Sequence, residues 1–294
     1  LASQTPEGAW GQAFEIFEVD RTSPPGEAHG DVIFWPLLAV GRYLQATGDL
    51  SLLSEVVPFY TGSPGAGEAS VAEHLRRAVD RAAGLVVPGT HLSAYGHGDW
   101  NDSLQPADPA MVEHMTSSWT VTLHRQALTT LADGLETAGV RTSVDGLDVT
   151  ALREDAATIH REFAAHLLPD GVVAGYALRE PGSDAFSYLL HPRDRETGLT
   201  YSVLPMIHGI IDEMFTPEEA QRHLEVISEH LLMPDGVHLF DRPPSYRGGP
   251  MVHFQRAESA SFFGREIGTM YTHAHLRYAE AMATMGRAAE LLEA

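Results

Sequence analysis

The chain has 294 residues, of which 44% are hydrophobic and 20% charged, enough for a sizeable globular core in one large domain or two small ones. Its 19 Lys and Arg against 40 Asp and Glu give a formal charge of −21, which repels nucleic acid and anionic lipid; an anionic substrate would need a local pocket of Arg, His and backbone N–H groups. With no cysteine there is no disulfide framework, thiol nucleophile or cysteine-ligated zinc, and no apolar run reaches the length of a membrane span, so a cytoplasmic protein without a membrane partner is expected. The start, Leu1-Ala2-Ser3-Gln4, is neither an initiator methionine nor a signal peptide, and a piece of a longer polypeptide is expected.

Residues 1–30 contain Thr22-Ser23-Pro24-Pro25-Gly26 and read as loop-rich. From Asp31 to Gln45 the residues Ile33, Phe34, Leu37, Leu38, Val40, Tyr43 and Leu44 fall at helical spacing, with Pro36 in the tolerant first turns and Gly48 as terminator. Helices are also predicted over 51–60 and 70–83, with a Gly/Ser/Pro loop between them. Pro88 and Gly89 then lead into the loop Tyr95-Gly96-His97-Gly98-Asp99-Trp100-Asn101-Asp102. Long helices follow over 111–135 and 149–168, the second stopping at Pro169-Asp170-Gly171. Residues 171–192 change to a strand or hairpin pattern through Val172, Val173, Tyr176 and Leu178. A helix over 201–215 comes next, and Thr216-Pro217-Glu218-Glu219 is a strong start signal for another ending near Leu232. Residues 233–268 form a long loop of the kind that is usually functional or lid-like, and a helix over 272–292 closes the chain.

Paired helices with chemically rich loops on alternate connections imply an all-α fold of the α/α-toroid type, with a few short strands in loops. About eight or nine helices are counted against the roughly twelve of a closed six-pair ring, so the toroid is expected to be incomplete. One domain over residues 1–294 is expected, with no second domain.

The loop at 95–102 carries the richest chemistry. Glycines permit sharp bends, Trp100 offers an apolar face and one N–H donor, and Asp99 and Asp102 are carboxylates three residues apart. This mixture suits a sugar ring; it equally describes a tight loop whose aspartates cap a helix around a core tryptophan. Trp119 and Phe163, on helix stripes, read as core. The scattered histidines at 74, 114, 124, 160, 166, 191, 208, 223 and 230 lack an H-E-x-x-H or comparable pair, so no metal site is expected. There is no Gly-rich phosphate loop or dinucleotide fingerprint.

Three stretches in order resemble the inverting glycoside phosphorylases of glycoside hydrolase family 94, the cellobiose phosphorylase and cyclic β-1,2-glucan synthase type. Gly30-Asp31 followed by Phe34-Trp35-Pro36-Leu37 and Thr47-Gly48-Asp49-Leu50 looks like the family's aspartate, "W-L-P" helix and "T-G-D" turn. Gly98-Asp99-Trp100-Asn101-Asp102 matches its G-D-W-N-D loop. Arg265-Glu266-Ile267-Gly268 leading to Tyr271-Thr272-His273-Ala274 is similar to its R-E-N-G…Y-T-H-A segment, with Ile267 in place of Asn.

The resemblance implies an (α/α)6 barrel and the reversible phosphorolysis of a β-glucoside or β-oligoglucan to α-glucose 1-phosphate and a shortened acceptor. Asp102 would be the general acid, Trp100, Asp99, Asp31 and Glu258 would contact substrate, and His273, Thr272 and Arg265 would contact phosphate. No cofactor is implied, inorganic phosphate being the co-substrate. One carboxyl group suffices for this chemistry, because phosphate is already anionic and attacks without a base. Asp102 would need its pKa raised by partial burial against Trp100. Thr272 and His273 stand at a helix start, where free N–H groups favour an anion.

Other readings accompany these. Asp31 reads equally as a helix cap, Asp99 as a loop-shaping residue, His273 as an ordinary helix-start histidine, and Glu258, with His253, Gln255 and Arg256, as ordinary loop. An inverting hydrolase with Asp102 as acid and Glu258 or Glu266 as base is one alternative, and a non-catalytic carbohydrate-binding or structural helical domain is another. The family's R-D-x-x-Q-D and T-G-S-A-G-W segments are absent from the 294 residues, so the isolated chain is expected to be a fragment without full activity. A homodimer of the full-length protein is compatible with the resemblance without being fixed by the sequence.

Overall fold

The computed structural model of the chain describes residues 1–12, 28–60, 67–101, 104–180, 182–243, 252–255 and 269–293; Asp102, Glu258 and Arg265 lie outside this set. The described residues are mainly helical with short strands. Helix α1 (Phe34–Thr47) carries Pro36 as its third residue, where no intrahelical donor is needed, and ends on Gly48 at φ +65°, whose N–H bonds to the Leu44 carbonyl.

Beyond α1 the expected helix over 51–60 is only one turn, α2 (Ser51–Ser54). The chain then extends as β1 (Val56–Pro58), paired antiparallel with β2 (Glu68–Ser70). Here a non-local ladder overrides local helical spacing. Helix α3 (Val71–Gly84) starts on Ser70, whose hydroxyl accepts the Glu73 N–H at 3.2 Å.

The helix expected over 111–135 is likewise interrupted. It divides into α4 (Ala110–His114), β3 (Met115–Ser117) and α5 (Ser118–Thr137). Strand β3 joins β6 (Tyr176–Arg179) and β7 (Phe186–Leu189) in an antiparallel sheet of order β3-β6-β7, with Met115 opposite Leu178 and Tyr176 opposite Leu189. The hairpin expected within 171–192 is β6 with β7. Strands β4 (Ser143–Val144) and β5 (Leu147–Asp148) form a small hairpin before α6 (Val149–His166), where Asp148 accepts the N–H groups of Thr150 and Ala151.

Helix α7 (Val203–Ile211) is shorter than expected, whereas α8 (Pro217–His230) begins with a complete capping box between Thr216 and Glu219. A hairpin of β8 (Leu232–Met233) and β9 (Gly236–Val237) follows. The expected terminal helix breaks into α9 (Thr272–Thr284) and α10 (Ala288–Glu293) at Gly286, which adopts φ +68°.

Helices α1, α5, α7 and α9 pack in succession, with α6 against α5 and α8 against α7. The α1–α5 approach depends on two glycines. A Cβ on Gly41 would stand 2.7 Å from the Thr130 carbonyl group, and one on Gly134 would meet the Gly41 carbonyl oxygen at 2.5 Å. The core running through these helices includes Phe34, Leu37, Leu44, Val121, Leu128, Leu131, Phe163, Val203 and Ile207. Trp119 and Phe163 are buried in it. No helix among the described residues is long and apolar enough to cross a membrane.

Candidate functional site

The segment before α1 and the loop at 95–101 are laid backbone to backbone. Gly30 N–H donates to the Gly98 carbonyl at 2.8 Å, His29 bridges to Gly96, and Gly96 and Tyr95 donate to Val112 and Met115. A Cβ on Gly30 would lie 2.6 Å from the Tyr95 carbonyl oxygen, so only glycine fits. Gly96 and Gly98 have φ +61° and +142°, the conformations that glycine supplies for the turn. Tyr95 anchors the loop from inside: it is fully buried, donates to the Leu104 carbonyl at 2.9 Å, and meets Tyr176 edge-on at 5.0 Å.

Within the loop, Asp99 points inward and is 1% exposed. Its Oδ1 accepts the Asn101 N–H at 2.9 Å and its Oδ2 accepts the Ser117 hydroxyl at 2.8 Å. Ser117 is also the N-cap of α5, so one carboxylate ties the loop to that helix. Burial, followed by the nearby charge of Asp31, raises the Asp99 pKa to about 7, while the hydrogen bonds from Asn101 and Ser117 oppose the rise. With both oxygens engaged inside the protein, Asp99 shapes the loop.

Asp31 is also buried, and the helix-cap reading of it is replaced. The α1 N-cap is Ile33, with no side-chain cap bond, and Asp31 Oδ2 instead accepts the indole N–H of Trp35 at 3.1 Å. Trp35 thereby presents an exposed ring on the first turn of α1, 6.3 Å from the ring of Trp119.

Trp100 turns the other way and joins two motifs that lie about 170 residues apart. Its ring centroid is 4.9 Å from that of His273 and 5.2 Å from that of Tyr271. Tyr271 is the N-cap of α9 and provides no side-chain cap bond. Thr272 and His273 are therefore the exposed first residues of a 13-residue helix beside the Trp100 ring. The His273 pKa is pushed down by desolvation, then by the positive charges of Arg277 and His208. A helix start with an adjacent imidazole and indole is suited to an oxyanion next to a sugar face.

The long-loop residues divide. Gln255 is a structural tie, its N–H bonding the Gln105 carbonyl and its side-chain amide the Pro106 carbonyl. His253 lies 3.8 Å from Glu196. Arg256, Glu258, Arg265, Glu266 and the catalytic candidate Asp102 fall outside the described residues. Three neighbours of the site, Ser117, His208 and Asp212, were missed in the sequence. Ser117 carries no readable signal, whereas His208 and Asp212 have a helical i, i+4 spacing that equally describes a solvated pair.

Residues 17–293 match the family described as "Glycosyl hydrolase 94 superfamily, catalytic domain". The chain is 38% identical over 287 residues to a 1,2-beta-oligoglucan phosphorylase of Listeria innocua, covering 95% of this chain and 25% of that protein. It is 27% identical over 207 residues to an N,N'-diacetylchitobiose phosphorylase of Vibrio proteolyticus, covering 70% of this chain and 23% of that one. The chain thus spans about a quarter of the length of the curated relatives it matches. Among solved structures, an unsaturated glucuronyl hydrolase from Bacillus sp. GL1 aligns with 87% of this chain and 60% of its own at TM-score 0.45 and 12% identity, too loose a likeness to fix the arrangement of the helices. The family match over nearly the whole chain, joined to the 38% identity with the Listeria protein, establishes that this chain belongs to the glycosyl hydrolase 94 superfamily.

Proposed function

We propose that the chain is part of the (α/α)6 catalytic domain of a longer inverting phosphorylase. This enzyme cleaves a β-oligoglucan with inorganic phosphate, releasing α-glucose 1-phosphate and a shortened acceptor. A 1,2-linked β-glucan is the favoured substrate, by similarity to the Listeria relative. The observation that carries the reading is the meeting of Trp100 with Tyr271 and His273, because it brings the G-D-W-N-D loop to the start of α9.

In this reading Asp102 protonates the glycosidic oxygen as the bond to the anomeric carbon breaks, and phosphate attacks that carbon from the opposite face. Trp100 supplies a face for the sugar at the cleavage point. His273, Thr272 and Arg265 receive the phosphate, assisted by the amides and dipole of α9. Asp31 acts through the Trp35 ring it orients, Asp99 holds the loop that carries Asp102, and Glu258 contacts sugar hydroxyls. No cofactor takes part.

The test uses the complete enzyme with 1,2-linked β-oligoglucan, with and without inorganic phosphate, following products by proton NMR. Glucose 1-phosphate in its α form, made only when phosphate is present, is the expected outcome. Free sugar released at the same rate without phosphate would instead establish the hydrolase reading.

A further inference from the structure

Residues 252–255 are distant in sequence from the G-D-W-N-D loop, yet they are laid against the stretch that follows it, a contact the proposed chemistry does not use. Ala107 N–H donates to the His253 carbonyl at 3.0 Å, Gln255 N–H to the Gln105 carbonyl at 2.7 Å, and the Gln255 side-chain amide to the Pro106 carbonyl at 2.9 Å. Pro106 and Phe254 face each other as an antiparallel bridge. The bridge takes no N–H from Pro106, which has none to give.

A bridge of this size does not hold itself. Its few hydrogen bonds replace bonds to water and contribute little against the entropy of ordering the segment. What remains is the Phe254 side chain, which is 2% exposed and lies 5.2 Å from the ring of Tyr176 on β6. Tyr176 in turn meets Tyr95 edge-on, and the Tyr95 hydroxyl donates to the Leu104 carbonyl. Residue 254 therefore reaches the 104–107 stretch by two routes, through backbone and through stacked rings.

The other flank of the loop is fixed independently, by Gly30 on Gly98 and by the Gln105 side-chain amide, 3.1 Å from His29 Nε2. Asp102 falls between two held residues in sequence: Asn101, whose N–H is bound by Asp99, and Leu104, whose N–H donates to the Asn101 carbonyl at 3.0 Å. The Phe254 contact secures the later of the two.

We propose that Phe254 is a positioning residue for the proton-donating loop: buried on Tyr176, it pins residues 253–255 to 105–107 and so fixes the chain on the far side of Asp102. This rests on the reading of Asp102 as the general acid. Phe254 is given no contact with substrate or phosphate. Its ring acts through backbone, so loss of the ring frees the stretch after Asp102 and leaves the start of α9 in place.

The experiment uses the complete enzyme as wild type, Phe254→Ala, Phe254→Leu and, as a control for general loss of core packing, Phe163→Leu in α6. Three quantities are measured: kcat per folded molecule, KM for inorganic phosphate, and amide exchange of the peptide spanning 95–107. Phe254→Ala is expected to lower kcat about tenfold or more, the scale of a misplaced catalytic group, with the phosphate KM within about twofold and faster exchange at 104–107. Phe254→Leu, which keeps an apolar side chain of similar bulk, should recover most of the loss. Phe163→Leu should lower Tm while sparing kcat. A kcat for Phe254→Ala within about twofold of wild type, or an equal loss in Phe163→Leu at a comparable fall in Tm, overturns the positioning role. If Phe254→Ala does not fold, Gln255→Ala decides, with faster exchange at 104–107 and a kcat lowered about threefold expected and an unchanged kcat overturning the role. Wild-type cleavage that proceeds equally without phosphate removes the phosphorylase reading, and the same variants are then judged on hydrolysis; wild-type activity with unaffected Phe254 variants overturns this inference alone.

Discussion

The two halves that meet at Trp100 are built on opposite principles. The 95–101 loop is held by backbone: glycines pressed against carbonyl groups, a buried tyrosine and an aspartate with both oxygens hydrogen-bonded. The start of α9 meets the loop through side chains, the exposed Tyr271 and His273 rings lying against Trp100. The first half is rigid because its geometry leaves no alternative. The second depends on side-chain packing at the surface, which a single substitution can alter. Substitutions in the loop should therefore reach activity or stability directly.

The largest expected effect is on the loop's chemistry. Asp102→Asn in the complete enzyme should lower turnover by about 10²–10⁴-fold with folding intact, the usual worth of a general acid. Turnover near the wild-type rate would remove Asp102 from that role.

A second effect comes from the buried carboxylate. The Asp99 pKa is pushed up to about 7 in the fold, well above the ordinary carboxylate value of about 3.9, so the folded state binds this proton more tightly than the unfolded one. The stability this lends is complete below about pH 4 and is lost as pH rises through about 7. Asp99→Asn stays neutral throughout, so it should gain on the wild type between pH 4 and 8, by up to about 4 kcal/mol in denaturant unfolding. A stability difference independent of pH would contradict the assignment.

Smaller again is the steric effect of one methyl group. Gly30→Ala places Cβ against the Tyr95 and Ala94 carbonyl oxygens at 2.6 and 2.9 Å, and should cost about 1–3 kcal/mol. Gly48→Ala meets nothing within 4 Å and bears only the strain of φ +65°, about 1 kcal/mol. Thermal unfolding of both variants checks the order; equal losses would show that the backbone contact at Gly30 is not tight.

Much of this was legible from residue types. Helix α8 announces itself through Thr216 at its cap, α6 through its stop at Pro169-Asp170-Gly171, and α1 through its apolar spacing and Gly48. The interruptions were not legible, because Met115–Ser117 and Val56–Pro58 extend to pair with strands elsewhere in the chain, and periodicity carries no information about a distant partner. The motifs at 98–102 and 271–274 could be read separately; their contact through Trp100 could not. The His208–Asp212 pair was hidden for another reason. Its spacing is unremarked on a surface helix and gains meaning only because Val203 to Ile210 are all buried.

The central claim is that Trp100 and His273 form one site for a sugar and an anion. A crystal structure of the complete enzyme soaked with inorganic phosphate tests it most directly. Phosphate is expected within hydrogen-bond distance of the His273 ring and the first amides of α9, beside the Trp100 indole. Phosphate bound elsewhere, with the start of α9 covered by another segment of the protein, would contradict it.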